Sequence, residues 1–170
     1  ILTHNYTGYP VIRQARKLVE NGELGEIRVI QAEYAQDWLS EAADNKQADW
    51  RVNPEKSGAG AIGDIGTHAL NLASFVSGLQ PQALCADLHS FVDGRRVDDN
   101  AHIMLRFEKG AKGMLWASQV AVGCDNTLTL RLYGEKAGLE WQNENPHQLS
   151  VTRLGTAKQL ANNGGAGVGR

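Results

Sequence analysis

Cysteine is scarce in this sequence, which contains only Cys85 and Cys124. The two lie far apart in the chain, so they form neither a C-x-x-C pair nor the framework of a disulfide-stapled small domain. We interpret both as reduced thiols in the core.

Charge of one sign is not in excess, because 17 Lys and Arg residues stand against 19 Asp and Glu residues, for a net charge of -2. The basic patch typical of nucleic-acid binding is therefore not indicated. The longest largely apolar stretch, residues 69–76, falls far short of the roughly 20 apolar residues that a membrane span needs. No basic-then-apolar signal peptide is visible. We expect a cytoplasmic protein with no nucleic-acid partner and no membrane partner.

An initiator methionine is also missing, because the chain begins at Ile1 and its methionines are Met104 and Met114. We therefore expect a piece of a longer protein. The 170 residues match one large domain, since roughly 100–200 residues build one hydrophobic core. We expect that domain over residues 1–155, followed by a flexible, glycine-rich tail at 156–170.

Two amphipathic helices are predicted. The first begins at Pro10, which suits a first helical position, and ends at Gly22. The second runs over residues 62–76. Its apolar side chains recur at helical spacing on one face, which predicts the core face: Ile65, Ala69, Leu72 and Val76.

Alternation of apolar and polar residues predicts the strands. The predicted strands are 27–38, 82–92, 97–108, 111–122, 126–133 and 147–154. Residues 39–60 lack periodicity and are interpreted as a long polar excursion of the kind that often carries function. Short turn sequences separate the later strands, and short connections join antiparallel neighbours.

This order of elements predicts an α+β domain with a largely antiparallel open sheet and helices on one face. In the strand 126–133, one face is apolar and consists of Leu128, Leu130 and Leu132. The other face is mixed and consists of Thr127, Thr129, Arg131 and Tyr133. An amphipathic second face suits a protein partner, so we expect it to be available for oligomerisation with another copy of this chain.

The clearest group of functional candidates lies on the second helix, where Asp64, His68 and Asn71 are separated by four and three residues and share one stripe. Asp64 is one turn below His68, close enough for its carboxylate to orient the imidazole and favour the imidazolium. These residue types at this spacing are typical of acid/base catalysis. The structural alternative is that Asp64 complements the helix N-terminus and His68 is a polar residue at the helix edge.

Other constellations are weaker. An Asp and a His four apart can supply two metal ligands, but no clear third ligand is present, so we expect no metal site. A G-x-G-x-x-G pattern at residues 58–63 opens the second helix, yet no buried strand precedes it, so we assign no cofactor-binding residues there. Trp38, Trp50 and Arg51 are candidates for the wall of a sugar pocket, or they only pin the long excursion to the domain. Tyr6 is a similar candidate.

The order of segments resembles a known family. The segments that carry the resemblance are Tyr9-Pro10 with its helix, 25–27, 57–68, 99–101, 107–111 and 132–141. Together they resemble the C-terminal domain of the Gfo/Idh/MocA oxidoreductases, the family of glucose-fructose oxidoreductase and inositol dehydrogenase, over residues 1 to about 142. The glycine loop followed by D-x-x-x-H is the most specific of these features.

The resemblance implies the substrate side of an NAD- or NADP-dependent dehydrogenase acting on a sugar, cyclitol or related polyol. His68 would be the acid/base for hydride transfer, and Asp64 would orient and assist it. Asn71, Trp38, Trp50, Arg51 and Tyr6 are then the candidate substrate-binding residues.

The family's catalytic lysine belongs to a Glu-Lys-Pro motif in a nucleotide-binding half that this chain does not include. We therefore expect no cofactor bound to this chain and no turnover by it alone. The alternative from another functional class is a non-catalytic carbohydrate-binding or assembly module with the same fold.

Overall fold

The computed structural model describes residues 3–42 and 45–162. Helical segments lie before and between the strands. They are a 3-10 turn at Asn5–Gly8, α1 (Pro10–Glu20), α2 (Lys46–Arg51), α3 (Pro54–Ser57), a π-helical turn at Ile62–Gly66, α4 (Thr67–Ser77) and a 3-10 turn at Glu108–Gly110.

Eight strands form one sheet in the order β2-β3-β4-β1-β5-β6-β7-β8. Their bounds are β1 (Ile27–Ala35), β2 (Pro81–His89), β3 (Asn100–Phe107), β4 (Lys112–Ser118), β5 (Thr127–Gly134), β6 (Ala137–Gln142), β7 (Gln148–Arg153) and β8 (Gln159–Asn162). All neighbours are antiparallel except β1 and β4. The chain is thus an α+β domain with a mostly antiparallel open sheet, as the sequence predicts.

The first strand occupies the centre of the sheet, between β4 and β5. It runs parallel to β4, with Ile30 opposite Gly113 and Ala32 opposite Leu115. Sequence reasoning did not predict this insertion, because periodicity reports which residues face the core and carries no information on which strand is the neighbour.

Helix α1 forms where the sequence predicts it. Pro10 occupies the first turn, and the helix ends at Glu20, with Gly22 following in the left-handed conformation at φ 71°. Val11, Ile12 and Ala15 are buried. These apolar residues attach α1 to the same core as α4 and the sheet.

The helices cover one face of the sheet. On that face the predicted apolar stripe of α4 and its preceding turn is buried, and so are the alternating residues of the central strands: Ile65, Ala69, Leu72, Val76, Ile30, Ala32, Leu128, Leu130 and Leu132. On the opposite face, Arg131 is half-buried and Tyr133 is exposed, whereas Thr129 is buried. The two faces therefore differ in polarity as the alternation in β5 predicts.

The segment 39–60 has more order than the predicted excursion. Asn45 caps α2, because its side-chain oxygen accepts hydrogen bonds from the backbone N–H groups of Gln47 and Ala48. Asn53 caps α3 in the same way through Glu55. Both helices are too short to show amphipathic periodicity, so only their capping residues signal them in the sequence.

Several predicted boundaries shift. The first strand ends at Ala35 rather than at residue 38, so Trp38 lies in a turn with 36% of its surface exposed. The strands β6 and β8 were not predicted. Strand β8 pairs with β7 inside the segment predicted as a tail, while residues 163–170 lie outside the described residues.

The prediction that both cysteines are core thiols is wrong. Cys85 is exposed and Cys124 is partly exposed. Cys85 lies on β2, an edge strand whose side chains are exposed along nearly its whole length. The apolar character of a cysteine does not reveal that its strand lies at an edge.

Candidate active site

The candidate site is built at the junction between the glycine-rich segment and α4. The predicted single helix over 62–76 is interrupted there, because the turn Ile62–Gly66 is π-helical and the backbone N–H of Thr67 bonds the carbonyl of Ile62, five residues earlier. A Cβ at Gly66 would lie 2.6 Å from the Ile62 side chain, so a larger residue there would require Ile62 to shift. Turns of this type often occur at functional sites.

The π-helical turn changes the relation between the two main candidates. The spacing of four predicts that the Asp64 carboxylate orients the His68 imidazole. In the structure, however, the two side chains are not hydrogen-bonded to each other. The Asp64 carboxylate instead accepts a hydrogen bond from Arg51 Nε at 2.8 Å and one from Gln119 Nε2 at 2.8 Å. Its orienting contacts therefore come from two other segments of the chain.

A cleft of about 420 Å³ opens beside these residues. Its lining comes from β1, the following turn, α2, the π-helical turn and the start of α4: Tyr34, Gln36, Trp38, Gln47, Arg51, Asp64, Ile65 and His68. The predicted candidates Asp64, His68, Trp38 and Arg51 thus share one cleft. Most of its polar groups can hydrogen-bond hydroxyl groups.

Arg51 is the charged residue at the centre of this wall. Besides Asp64, its guanidinium contacts the side chain of Gln47, with Nη1 2.7 Å from Oε1. It lies 4.3 Å from the ring centre of Trp50 and 5.6 Å from that of Trp38. Trp38 faces the cleft, whereas Trp50 does not line it and supports Arg51 from the side.

His68 is held in its neutral form. Burial lowers its pKa, the nearby His4 lowers it further, and the charge of Asp64 only partly opposes these effects. Asp64 does favour the imidazolium, as expected, but burial and His4 outweigh it, so the pKa of His68 is lowered overall. Nδ1 of His68 is buried without a hydrogen-bond partner among the described residues, which leaves Nε2 as the nitrogen that can serve the cleft.

A chain of hydrogen bonds runs along the other wall. The hydroxyls of Tyr6 and Tyr34 are 2.6 Å apart, and Tyr34 donates to Oδ1 of Asn126 at 2.9 Å. Gln36 donates to the same oxygen at 2.7 Å, and Trp38 donates to Gln36 at 2.9 Å. Burial raises the pKa of Tyr34, and Tyr6 raises it further, so this hydroxyl stays protonated.

The remaining candidates lie just outside the lining. Tyr6 acts on the cleft through Tyr34 and also packs edge-on against His68, with ring centres 5.4 Å apart. Asn71 is partly buried on α4, and its side-chain oxygen has no hydrogen-bond partner among the described residues. Neither residue is among those that line the cleft.

Sequence reasoning missed Tyr34, Gln36, Gln47 and Gln119. Tyr34 lies in the predicted strand 27–38, where alternation gives no sign of a site role, and it is both largely buried and part of the cleft. Gln36 and Gln119 bond the distant residues Asn126 and Asp64, so no spacing signals them. Gln47 bonds Arg51 within α2, a helix too short to show periodicity. Only the fold identifies them.

The glycine-rich segment does not form a phosphate cradle. The side chain of Asp98 accepts hydrogen bonds from the backbone N–H groups of Gly60 and Ile62, at 2.9 and 2.7 Å, and its carbonyl accepts one from Ala61 at 2.8 Å. The carboxylate of Asp98 thus occupies the donors that would otherwise face an anion. This loop does not fit a dinucleotide.

No metal centre is evident either. Within residues 3–42 and 45–162, no three His, Cys, Asp or Glu side chains are grouped so that they could hold a metal ion. None of the helices in these ranges is long and apolar enough to cross a membrane.

Known proteins match this chain over most of its length. The GFO/IDH/MocA C-terminal domain matches residues 12–140. The chain belongs to this family. An oxidoreductase from Sinorhizobium meliloti is 50% identical, with a TM-score of 0.87 over 99% of this chain and 44% of that one.

Two relatives are named as dehydrogenases of a cyclitol or a sugar derivative. An inositol dehydrogenase homolog from Azotobacter vinelandii, solved with NADH and myo-inositol, is 34% identical, with a TM-score of 0.88 over 98% of this chain and 44% of that one. The levoglucosan dehydrogenase of Pseudarthrobacter phenanthrenivorans is 28% identical over 89% of this chain and 44% of its own length. The chain spans less than half the length of the curated relatives it matches.

Proposed function

We propose that this chain forms the substrate-binding side of the active site of an NAD- or NADP-dependent dehydrogenase that oxidises a hydroxyl group of a sugar, cyclitol or related polyol. The observation that carries this proposal is the cleft in which His68, kept neutral, lies beside Asp64 and a wall of hydrogen-bonding side chains. An inositol dehydrogenase homolog solved with myo-inositol and a levoglucosan dehydrogenase support the substrate class.

His68 is the acid/base. A neutral imidazole has a free lone pair, so Nε2 accepts the proton of the reacting hydroxyl during oxidation and returns it during reduction. The negative charge of Asp64 favours the protonated product of that step. Arg51 and Gln119 hold the carboxylate in place while this happens.

Substrate recognition combines an aromatic face with hydrogen bonds. Trp38 offers a ring surface on which the C–H groups of a sugar ring can pack. Arg51, Gln36 and Gln47 offer donors and acceptors for hydroxyl groups. We assign Trp50, Tyr6 and Asn71 a supporting role, because they do not line the cleft.

The nicotinamide dinucleotide is assigned to a part of the protein outside this chain. In this chain the Asp98 carboxylate occupies the backbone N–H groups of the glycine-rich segment. No other described segment has a glycine loop between a strand and the start of a helix. We therefore expect the isolated chain to show no turnover.

The open face of the sheet is assigned to contact with a second copy of the chain. Met104 and Met114 are exposed and pair across β3 and β4, and exposed Tyr133 lies on β5, which β1 separates from β4. Half-buried ion pairs of Arg131 with Glu33 and Glu140 lie among them. Exposed apolar side chains on a sheet face are typical of a protein interaction site.

The test is substrate oxidation by the complete protein that carries this chain. We expect reduction of NAD or NADP with myo-inositol, levoglucosan or an aldose, measured by nicotinamide absorbance. The variant His68→Gln should lose at least about 100-fold in kcat, the loss typical of a missing acid/base. Exposed His89 supplies the matched control, and His89→Gln should keep the parent rate.

The pH profile adds a second readout. Because burial lowers the pKa of His68, the acid limb of kcat/KM should lie below the ordinary histidine value of about 6.5. Asp64→Asn removes the charge that raises this pKa, so the limb should move to still lower pH. Sugar binding without any turnover, or full activity of His68→Gln, would favour the non-catalytic module instead.

A further inference from the structure

His68 has a neighbour that the proposed reaction does not use. Nε2 of His4 is buried and has no hydrogen-bond partner among the described residues, which is also the condition of Nδ1 of His68. The two rings are nearly perpendicular, at 86°, with centres 5.2 Å apart. Two unsatisfied ring nitrogens are therefore buried in adjacent side chains.

A buried polar atom without a partner costs about 1–3 kcal/mol, so this situation is rare in folded proteins. A neutral imidazole has one donor and one acceptor nitrogen. A centre separation of 5.2 Å is about what two imidazole rings show when one nitrogen of each comes within hydrogen-bond distance, roughly 3 Å. The structure forms no hydrogen bond between these two nitrogens, but the rings are close enough for one to form if a ring reorients.

Burial and the nearby His4 lower the pKa of His68. Two titratable neighbours change the pKa of His68: Asp64 raises it and His4 lowers it. Tyr6 and Tyr34 pack edge-on against His68, with ring centres at 5.4 and 6.3 Å. Their rings offer no competing partner for Nδ1, because both hydroxyls belong to the hydrogen-bonded chain of the opposite wall.

His4 is itself anchored. Its carbonyl accepts a hydrogen bond from the hydroxyl of Thr7 at 3.0 Å, which ties it to the 3-10 turn that precedes α1. That turn brings the N-terminal segment over α4, where no spacing rule would place it. A residue far from His68 in sequence is thereby placed next to it.

We propose that His4 is a positioning residue for His68, with Nε2 of His4 accepting a hydrogen bond from Nδ1–H of His68. This bond fixes the tautomer in which Nε2 of His68 carries the free lone pair and points to the cleft. The direction of the bond rests on the proposed function, since a base must present its lone pair to the substrate.

The test is tautomer assignment by two-bond 1H–15N NMR on this chain with labelled histidines. At pH 7.5, we expect the His68 signals of a protonated Nδ1 and an unprotonated Nε2. His4→Phe keeps an aromatic ring without an acceptor and should lose the Nδ1–H tautomer. His4→Gln restores an acceptor and should recover it, while the exposed control His89→Gln should leave the His68 signals unchanged.

Three results overturn the proposal. They are a wild-type His68 protonated at Nε2, a tautomer that is the same in His4→Phe, and a failure of His4→Gln to differ from His4→Phe. The first needs no variant, so the proposal remains testable when a variant does not fold.

Kinetics of the complete protein separate this proposal from the proposed function. His4→Phe should lower kcat by about tenfold, change KM less and shift the acid limb, and His4→Gln should recover most of the loss. When His68→Gln keeps full activity, the proposed function fails whatever the NMR shows. When His68 is essential but His4→Phe changes neither tautomer nor pH profile, only the positioning role of His4 fails.

Discussion

The carboxylate of Asp64 receives both of its hydrogen bonds from residues that are distant in sequence, Arg51 and Gln119. Gln119 is almost fully buried, with 2% of its surface exposed. It follows β4, and its backbone N–H bonds the carbonyl of Asp99, so its position is set by the strand end. The residue that completes the site is thus a neutral amide with no sequence signature.

We predict a strong energetic coupling between Gln119 and Asp64. A hydrogen bond to a charged group contributes about 1.5–3 kcal/mol, and both side chains are largely shielded here. Gln119→Leu keeps the volume and removes the donor. A double-mutant cycle with Asp64→Asn, measured by urea unfolding of this chain, should give a coupling free energy of about 1.5 kcal/mol or more.

The matched control is Gln80→Ala, because Gln80 is an exposed glutamine at the entry to β2. It should change the free energy of unfolding by less than about 0.5 kcal/mol. Additive effects of Gln119→Leu and Asp64→Asn would contradict the contact.

At the scale of elements, the glycine-rich segment shows how one pattern fits two structures. The spacing G-x-G-x-x-G is that of a dinucleotide loop, yet here it lets the backbone approach the segment before β3. An added Cβ at Gly60 would lie 1.7 Å from the carbonyl oxygen of Asp98. The contact with Asp98 therefore fixes the glycine-rich segment in place, and this segment leads directly into the π-helical turn and α4.

We predict that Gly60→Ala destabilises the domain by about 2 kcal/mol or more, because overpacking against backbone cannot relax by side-chain rotation. In a protein of this size that corresponds to a fall in Tm of roughly 4–8 °C. Thermal unfolding followed by circular dichroism measures it.

Gly8 supplies the control for the same substitution. An added Cβ there meets no atom within 4 Å, and its backbone is not left-handed. Gly8→Ala should leave Tm within about 2 °C. Equal stability of the two variants would show that the approach of Asp98 to Gly60 is not as close as described.

At the scale of the whole molecule, the sheet has one face packed by helices and one face open. Met104 on β3 pairs across the sheet with Met114 on β4, and they are 67% and 41% exposed. His102 and Trp116, the next pair on this face, stack with ring centres 6.2 Å apart. Such a contiguous exposed apolar surface is typical of an interaction site.

We predict that the protein self-associates through this face and that Met104→Asp weakens the association, because a buried unpaired charge is costly at an interface. Sedimentation velocity over a concentration series should show a dimer or larger species for the parent. Met104→Asp should raise the dissociation constant by at least about tenfold.

The control for Met104→Asp is the same kind of substitution at Val122, away from the open face. It lies in the loop after β4 and is 84% exposed. Val122→Asp should leave the association unchanged. Only monomer at every concentration of the parent, or equal weakening by both variants, would contradict an open-face contact.

The sequence by itself determined the fold class, the course of α1, the core face of α4 and the alternation of β5, because these depend on local periodicity and capping. It also directed attention to His68, Asp64, Trp38 and Arg51, which share the cleft. Resemblance in segments such as 57–68 identified the family without any coordinates.

Only the tertiary structure decided the central place of β1, the partners of Asp64, the contact of Asp98 with the glycine segment and the proximity of His4 to His68. Each of these depends on contacts between residues distant in the chain, and such contacts leave no periodic trace. Desolvation acts in the same way, because the burial that lowers the pKa of His68 is produced by the packed domain as a whole.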